Sequence, residues 1–405
     1  MQTSKKKVAI IIDHFCLRPF GSAISYPRGL LGALSNLSID SLEITLVGFN
    51  LSDLAKTLPF ISRFKLLEIP MRKIPCYFDF RHFAIVPFIL RKKGFDAVIE
   101  MTQSIPFLFK DYRLCGIVTD ITPLMFPRLF PHPLMTYLRH MSLLRLAFRR
   151  CDRIVAISKS TKNDVERCYG IAEENITVIP LGFDKTAYEE IDINSTYGIK
   201  GSFILSVGTF QPRKNFSLLI RAFDELLRRG KRSDLSLVIV GELGWKYQDI
   251  LETYLSAEHK NNILLLHGIG DNELFNFYEQ CLYFVYPSLY EGFGLPILEA
   301  MAFGKAVIIS NTSSMAEFPV DEQFRIDPTK LEDLIQSMSI LLYDEKTRLD
   351  QEIINSNNAK DYSWSKSAEL FLTLISELVF GRSGSTLPDI EINGKGGSSQ
   401  ESRVH

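Results

Sequence analysis

The stretch VYPSLYEGFGLPILEAMAFGKAVIIS, residues 285–310, decides the fold. It predicts a buried strand that ends at Tyr286, a turn that contains Gly292 and Gly294, and a helix from Pro296 onward. The backbone N–H groups at the start of such a helix attract phosphate, and glycine lets a ligand approach the backbone closely. The stretch therefore predicts a phosphate-binding turn between a strand and a helix.

Two glutamates, Glu291 and Glu299, bracket this turn. Ionised carboxylates repel phosphate but accept hydrogen bonds from sugar hydroxyls, so a ligand that carries both phosphate and sugar would satisfy the site. The alternative interpretation is an ordinary loop acid at Glu291 and a solvated helix residue at Glu299 that the helix dipole stabilises.

Short apolar runs alternate with helical patterns on both sides of the stretch, and this predicts two doubly wound α/β units with parallel sheets. The first unit is expected at residues 1–183, the second at 200–362, a crossover helix that returns to the first unit at 363–380, and a disordered polar tail at 381–405. Predicted helices include Pro27–Asn36, Leu134–Arg150, Ser160–Cys168 and Phe216–Arg229. Residues 183–201 have no clear period and are predicted to be a linker.

Composition excludes several classes of protein. The chain has 405 residues, 46% of them hydrophobic, and six scattered cysteines without a CxxC pair, which predicts reduced thiols rather than a disulfide framework or a zinc site. The basic start precedes a short strand and not a secretory signal, and no apolar run reaches membrane-spanning length. We therefore expect a cytoplasmic protein, with peripheral contact at the inner face of the membrane left open.

The net charge of −1 hides an asymmetry between the two halves. Residues 1–182 carry 25 Lys and Arg against 15 Asp and Glu, and the remainder carries 21 against 32. The basic residues lack interleaved aromatic side chains, which argues against a nucleic-acid partner. The basic cluster around residues 138–150 has two interpretations. It is either a docking face for anionic lipid or the ordinary charged surface of a helix whose other face packs into the core.

Loops that follow strands of the second half carry further groups suited to a nucleotide. Arg213 and Lys214 stand near the start of a helix, where cations are disfavoured unless they bind an anion such as a diphosphate. Gly241 permits close backbone approach, and Ile269 is expected to line a base pocket. Asp271 is predicted to be the N-cap of the next helix.

Several of these segments resemble successive blocks of one family, the family-four retaining glycosyltransferases (glycosyl transferases group 1), which have the two-domain GT-B fold. The matching segments are 20–31, 119–127, 153–165, 176–184, 205–223, 238–245, 286–310 and 311–318. The segments FQPRKNF and GELGW are similar to the mannosyltransferase-like branch.

The resemblance implies transfer of a sugar from a nucleotide-sugar donor to a hydroxyl of a glycan or lipid-linked acceptor, without a cofactor or an obligatory metal. By the family pattern, Glu291 holds the donor sugar, Glu299 holds the ribose, and Lys214 with Arg213 stabilises the leaving diphosphate. The implied donor-binding set also contains Gly21, Asp120, Gly208, Gly241, Ile269, Gly292, Phe293, Gly294 and Leu295.

One departure from the family pattern affects the donor. Thr119 stands before Asp120 where the family often has histidine, so a usual contact to the sugar is missing. GDP-mannose is the first candidate donor and a UDP-sugar the next. A nucleotide-sugar hydrolase or epimerase, and a non-catalytic nucleotide-sugar-binding subunit, remain alternative functions on the same fold.

Overall fold

A computed structural model describes residues 5–12, 22–38, 40–49, 51–69, 85–101, 105–108, 110–130, 133–230, 234–381 and 391–392. The strands in chain order are β1 Lys6–Ile11, β2 Leu37–Ser38, β3 Leu42–Gly48, β4 Lys65–Glu68, β5 Ala97–Glu100, β6 Arg113–Val118, β7 Arg153–Ala156, β8 Ile176–Val178, β9 Ser202–Val207, β10 Leu235–Val240, β11 Ile263–Leu266, β12 Tyr283–Tyr286, β13 Val307–Ser310, β14 Arg325–Ile326 and β15 Glu391–Ile392.

The helices alternate with these strands. In chain order they are α1 Ser22–Leu34, α2 Leu51–Thr57, α3 Val86–Lys93, α4 Thr122–Met125, α5 Pro133–Arg139, α6 Arg145–Arg149, α7 Lys159–Tyr169, α8 Ile193–Tyr197, α9 Phe216–Gly230, α10 Gln248–Ser256, α11 Asp271–Gln280, α12 Leu295–Ala302, α13 Leu331–Tyr343, α14 Glu345–Ala359 and α15 Trp364–Phe380. Short 3-10 turns include Pro212–Lys214 and Ser313–Glu317, and His140–Leu144 forms a π-helical turn between α5 and α6.

Two parallel sheets confirm the predicted architecture. The first has seven strands in the order β4-β3-β1-β5-β6-β7-β8, and the second has six in the order β11-β10-β9-β12-β13-β14. Strand β1, an interior strand of the first sheet, is buried on both faces: Val8 and Ile10 pack into one core, and Ala9 and Ile11 into the other. Such near-continuous apolar strands are typical of a parallel sheet covered by helices. We call the parts built on these sheets the first and the second domain.

The last helix, α15, returns to the first domain, as the sequence predicts. The Trp364 ring lies 6.2 Å from that of Tyr26 in α1, and Ser367 Oγ donates a hydrogen bond to the Pro180 carbonyl at 2.7 Å. A Cβ on Gly29 would overlap the Trp364 indole, so the close packing of the two helices requires glycine there. The helix therefore ties the end of the second domain to the first.

Several predicted elements have different bounds. Helix α1 begins at Ser22 and contains Pro27, whereas the sequence predicts a helix that begins at Pro27. The single helix predicted over 134–150 is broken by the π-helical turn. The predicted linker contains α8, because Asp192 caps that helix through the backbone N–H of Ser195 at 3.1 Å. These differences arise from local contacts that apolar periodicity does not reveal.

The predicted cap of α11 was wrong in detail. Asp271 is the first residue of α11 and not its cap: Gly270 is the N-cap, and its N–H donates to Glu273 Oε2 at 3.2 Å. The Asp271 carboxylate instead pairs with Arg28 of the first domain at 3.3 Å. Beyond α15, the two residues of β15 pair antiparallel with β2.

Candidate functional site

A buried cluster of three charges lies at the carboxyl edge of the second sheet. Lys214 Nζ lies 2.6 Å from Glu291 Oε1, and Arg213 Nη1 lies 2.5 Å from Glu291 Oε2. The side chains of Arg213, Lys214 and Glu291 are only 13%, 8% and 9% exposed. One carboxylate thus pairs with both of the cations that the sequence predicts as a diphosphate site, and leaves the cluster with a net charge of +1. This pairing explains how the two cations are tolerated beside the start of α9.

Neutral groups complete the surroundings of the Glu291 carboxylate. Its Oε1 accepts hydrogen bonds from Ser288 Oγ at 2.7 Å and from Tyr286 Oη at 3.0 Å. The Tyr286 hydroxyl in turn accepts from Lys214 Nζ at 2.5 Å. Because all of these groups are buried, the carboxylate has a single well-defined position in the free protein.

The pKa values in this cluster reflect burial and mutual attraction. Burial alone would raise the pKa of the Glu291 carboxyl, but Arg213 and Lys214 outweigh it and hold the pKa well below its usual range. Burial lowers the pKa of Lys214, and attraction to Glu291 only partly opposes this. Glu291 therefore stays ionised at neutral pH, and the charge of Lys214 is more easily lost than that of an exposed lysine.

The loop after β9 places the two cations. Lys214 ends the turn Pro212–Lys214, and Asn215 follows with a left-handed φ of 59°. Asn215 Nδ2 donates to the carbonyl oxygens of Pro287 and Pro328 at 3.1 and 2.8 Å, which fixes this turn against β12. An asparagine suits this position because it tolerates the left-handed conformation and its amide reaches nearby carbonyls.

Glycines let neighbouring backbones approach the cluster closely. A Cβ on Gly208 would lie 3.2 Å from Lys214 Cε, and a Cβ on Gly241 would overlap the Gly208 carbonyl. Gly208 and Gly241 thus lie at the strand ends beside the charges. Among the described residues, no group of three or more His, Cys, Asp or Glu side chains could hold a metal ion.

The turn before α12 has the predicted geometry. Gly294 is the N-cap with φ 101°, a conformation that favours glycine, and Leu295 and not Pro296 is the first helical residue. Phe293 packs edge-on against Phe318 with ring centroids 5.4 Å apart. The first turn of α12 therefore begins beside the charge cluster, with its backbone N–H groups in the orientation that binds anions.

Glu299 lies farther along α12 and is separate from the cluster. Its Oε2 accepts a hydrogen bond from Tyr278 Oη at 2.7 Å. Burial raises the pKa of the Glu299 carboxyl to about 7, although this hydrogen bond opposes the shift. The group therefore titrates near neutral pH, unlike Glu291.

The first domain contacts the site through the loop after β6. A Cβ on Gly292 would overlap the carbonyl oxygen of Thr119 and would lie 2.9 Å from Asp120 Cβ. Asp120 Oδ1 accepts a hydrogen bond from the backbone N–H of Thr122 at 2.8 Å. Burial is the largest influence on both cations and lowers their pKa values, Glu291 opposes it, and the charge of Asp120 adds a smaller effect in the same direction as Glu291. Asp120 is thus brought within electrostatic range of the cations.

Two predicted residues stand apart from this arrangement. Ile269 is partly buried in the loop between β11 and α11 and packs against the core. Gly21 lies outside the described residues. Sequence reasoning missed Tyr286, Ser288 and Tyr278, whose only signal was a polar group at or beside an otherwise apolar segment.

Two family models together match most of the chain. The model described as Glycosyltransferase Family 4 matches residues 42–187, and the model described as Glycosyl transferases group 1 matches residues 190–359. The two halves of the chain thus each match a glycosyltransferase domain, as the resemblance implies. This match confirms the family predicted from the sequence.

Curated relatives of this chain include mannosyltransferases of Escherichia coli. The chain is 28% identical to the serotype-specific mannosyltransferase WbdA over 253 residues, which are 57% of this chain but only 29% of WbdA. It is 27% identical to the O-antigen chain mannosyltransferase B over 64% of this chain and 70% of that protein. Similarity to the mannosyltransferase-like branch, expected from FQPRKNF and GELGW, is thereby confirmed.

The GT-B fold is confirmed by solved structures. Sucrose-phosphate synthase from Thermosynechococcus elongatus superimposes with a TM-score of 0.74 over 94% of this chain and all of that chain, at 15% identity. Within the part of the chain that the structure describes, no helix is both long and apolar enough to cross a bilayer.

Proposed function

We propose that the protein transfers a hexosyl group from a nucleoside-diphosphate sugar to a hydroxyl of a glycan or lipid-linked acceptor, with retention at the anomeric carbon. The observation that best supports this is the buried pairing of Glu291 with both Lys214 and Arg213 at the edge of the second sheet. A donor diphosphate supplies new negative charge to the two cations and releases Glu291 to accept a sugar hydroxyl. The cations then stabilise the charge that grows on the leaving diphosphate.

The rest of the donor site follows from the same arrangement. Glu299 accepts the ribose hydroxyls, because a partly buried carboxylate has little competition from water. Backbone N–H groups of the turn bind the diphosphate, and the glycines at the strand ends let it approach the backbone closely. We assign donor contacts to Asp120, Gly208, Gly241, Ile269, Gly292, Phe293, Gly294 and Leu295, and to Gly21 from the resemblance.

For the donor we propose GDP-mannose first and a UDP-sugar next. Two relatives that are named mannosyltransferases support the first choice. We also propose an acceptor-side domain at residues 1–183, a donor-side domain at 200–362, a crossover helix at 363–380 and a tail at 381–405. The acceptor then enters from the first domain while the donor rests on the second.

The test is incubation of the purified protein with radiolabelled GDP-mannose and UDP-sugars, with and without a panel of glycan and lipid-linked acceptors. Labelled product that forms only with acceptor supports the proposal, and NMR of its anomeric linkage tests retention. Donor breakdown without acceptor would instead indicate a hydrolase or epimerase. Binding without any conversion would indicate a non-catalytic subunit.

We propose that the first domain also contacts an anionic membrane surface. Leu134 and Met135 on α5 are 69% and 68% exposed, and Leu138 is 49% exposed, so this apolar face is not turned into the core. Arg150 lies exposed at the end of the same helical region. Exposed apolar side chains beside arginine suit a lipid interface with acidic headgroups.

Vesicle flotation tests this contact. Binding should rise with anionic lipid, fall with salt, and be lost in the double variant Leu134→Ser/Met135→Ser. The matched control is Leu349→Ser/Ile353→Ser, which removes two exposed apolar residues from α14 of the second domain, 46% and 63% exposed. Binding that is absent, or insensitive to salt, would contradict the proposal.

A further inference from the structure

Helix α7 of the first domain holds both residues that flank Glu291 in the chain. Asp164 Oδ2 accepts a hydrogen bond from Tyr290 Oη at 2.7 Å, and Thr161 Oγ1 donates to the carbonyl oxygen of Gly292 at 3.1 Å. Thr161 is 0% and Asp164 7% exposed, so water does not compete for these bonds. The residues on either side of Glu291, one through its side chain and one through its carbonyl, are therefore anchored to the opposite domain.

A third contact reaches the same loop from its other side. The Glu317 carboxylate accepts hydrogen bonds from the backbone N–H groups of Lys159 and Ser160 at 3.0 and 2.6 Å. These N–H groups belong to the first turn of α7, where a negative charge is favoured. In the 3-10 turn that contains Glu317, Ser314 Oγ donates to the carbonyl oxygen of Glu291 at 2.9 Å. The backbone of Glu291 is thus tied to α7 along two routes.

We propose that Tyr290 and Asp164 are positioning residues for sugar transfer: their hydrogen bond fixes the Glu291 carboxylate for the donor sugar when the two domains are docked. This inference rests on the proposed function, because that function assigns Glu291 to the sugar. The acceptor enters from the first domain, which also carries Asp164. The Tyr290–Asp164 hydrogen bond therefore makes the correct position of Glu291 depend on the docking of the domain that binds the acceptor.

The Tyr290 hydroxyl can be removed without removing the ring. The ring has its own packing partner, Phe126, with centroids 5.7 Å apart, and the charge of Asp164 has its own partner, Arg167 Nη2 at 2.7 Å. Tyr290→Phe therefore deletes one hydrogen bond to a charged acceptor and leaves the packing in place. A displacement of about 1 Å at a reacting group can cost roughly 100-fold in rate, so a tenfold or larger loss of kcat is expected.

The experiment compares Tyr290→Phe, Asp164→Ala and the double variant. The matched control is Tyr188→Phe, which deletes a hydrogen bond to Glu279 at 2.9 Å within the second-domain side of the molecule. Each single variant should lower kcat about tenfold or more, with donor KM changed by less than about twofold. The double variant should lose no more than the worse single variant, because both remove the same bond. The control should match the wild type.

The kinetic comparison can overturn the inference in two ways. Tyr290→Phe with the kcat of the control shows that the bond does not position Glu291. Losses of kcat that are additive in the double variant, with the Tm falling in parallel, show a merely structural role. A wild type that transfers no sugar would contradict the proposed function, and crystal structures of the wild type and of Tyr290→Phe then decide the inference alone. The Glu291 carboxylate should be displaced in the variant, and an unchanged position would overturn the inference.

Discussion

Replacing Glu291 by glutamine removes the negative charge that two buried cations share. The variant keeps the shape of the side chain, so the change tests charge and not packing. Removing one partner of a buried pair costs roughly 3–5 kcal/mol, whereas an exposed pair contributes about 0.2–1 kcal/mol. The side chains of Glu291 and Lys214 are only 9% and 8% exposed, so the cost of breaking a buried pair applies to this cluster. We therefore expect the free energy of unfolding to fall by about 3–5 kcal/mol at neutral pH.

The pH dependence has a defined sign. The folded pKa of Glu291 is held below its unfolded value of 4.5, so its stabilising contribution is present above that value and is lost as the pH falls through the folded pKa. The two pH-unfolding curves should therefore converge in acid. The matched control is Glu279→Gln, which breaks an exposed pair with Lys185 at 2.8 Å and should cost less than about 1 kcal/mol.

A nucleoside diphosphate should restore part of the lost stability. Its phosphates supply negative charge beside the two cations, so it should raise the Tm of Glu291→Gln by more than that of the wild type. At a ligand concentration of about 100 times Kd, the expected stabilisation is about 2.7 kcal/mol. Urea unfolding and thermal-shift assays measure both effects. A variant as stable as the control, with an unchanged shift on ligand addition, would refute the three-charge cluster.

Other predictions follow from contacts around the same site. Gly292→Ala drives a Cβ into the Thr119 carbonyl, so scattering should show the two domains moved apart, and an unchanged profile would contradict the contact. Because burial raises the pKa of Glu299 to about 7, nucleotide affinity in calorimetry should increase as the pH rises through that value and the carboxylate ionises, and Glu299→Gln should abolish this dependence. Trp364→Ala removes the packing of α15 against Tyr26 and should lower the free energy of unfolding by about 3–5 kcal/mol, measured by urea titration; a loss below 1 kcal/mol would show that α15 docks weakly.

The fold could be predicted because its signals are local. Apolar β-branched runs such as Val8–Ile12 match buried parallel strands, and the glycine turn before α12 has one conformation that glycine favours. Bounds were less predictable where a long-range contact decides them. Pro27 lies inside α1, and Asp271 faces Arg28 instead of capping its own helix, because the neighbouring element supplies the partner.

The candidate site was predicted in composition but not in connectivity. The sequence indicates that Arg213, Lys214 and Glu291 belong to one site, yet spacing could not show that the acid pairs with both cations at once. Asp164 and Tyr290 were not predicted, because they are 126 positions apart in the chain and meet only through the docking of two domains. Contacts of that kind carry no sequence period.

Calorimetric titration of the wild type and of Lys214→Ala with GDP, UDP and ADP tests the central claim most directly. We expect one nucleoside diphosphate to bind preferentially with one site per chain, and Lys214→Ala to weaken that binding at least tenfold while circular dichroism shows an intact fold. A wild type that binds none of the three, or a variant that binds as tightly as the wild type, would contradict the assignment of the buried charge cluster to a nucleotide-sugar donor.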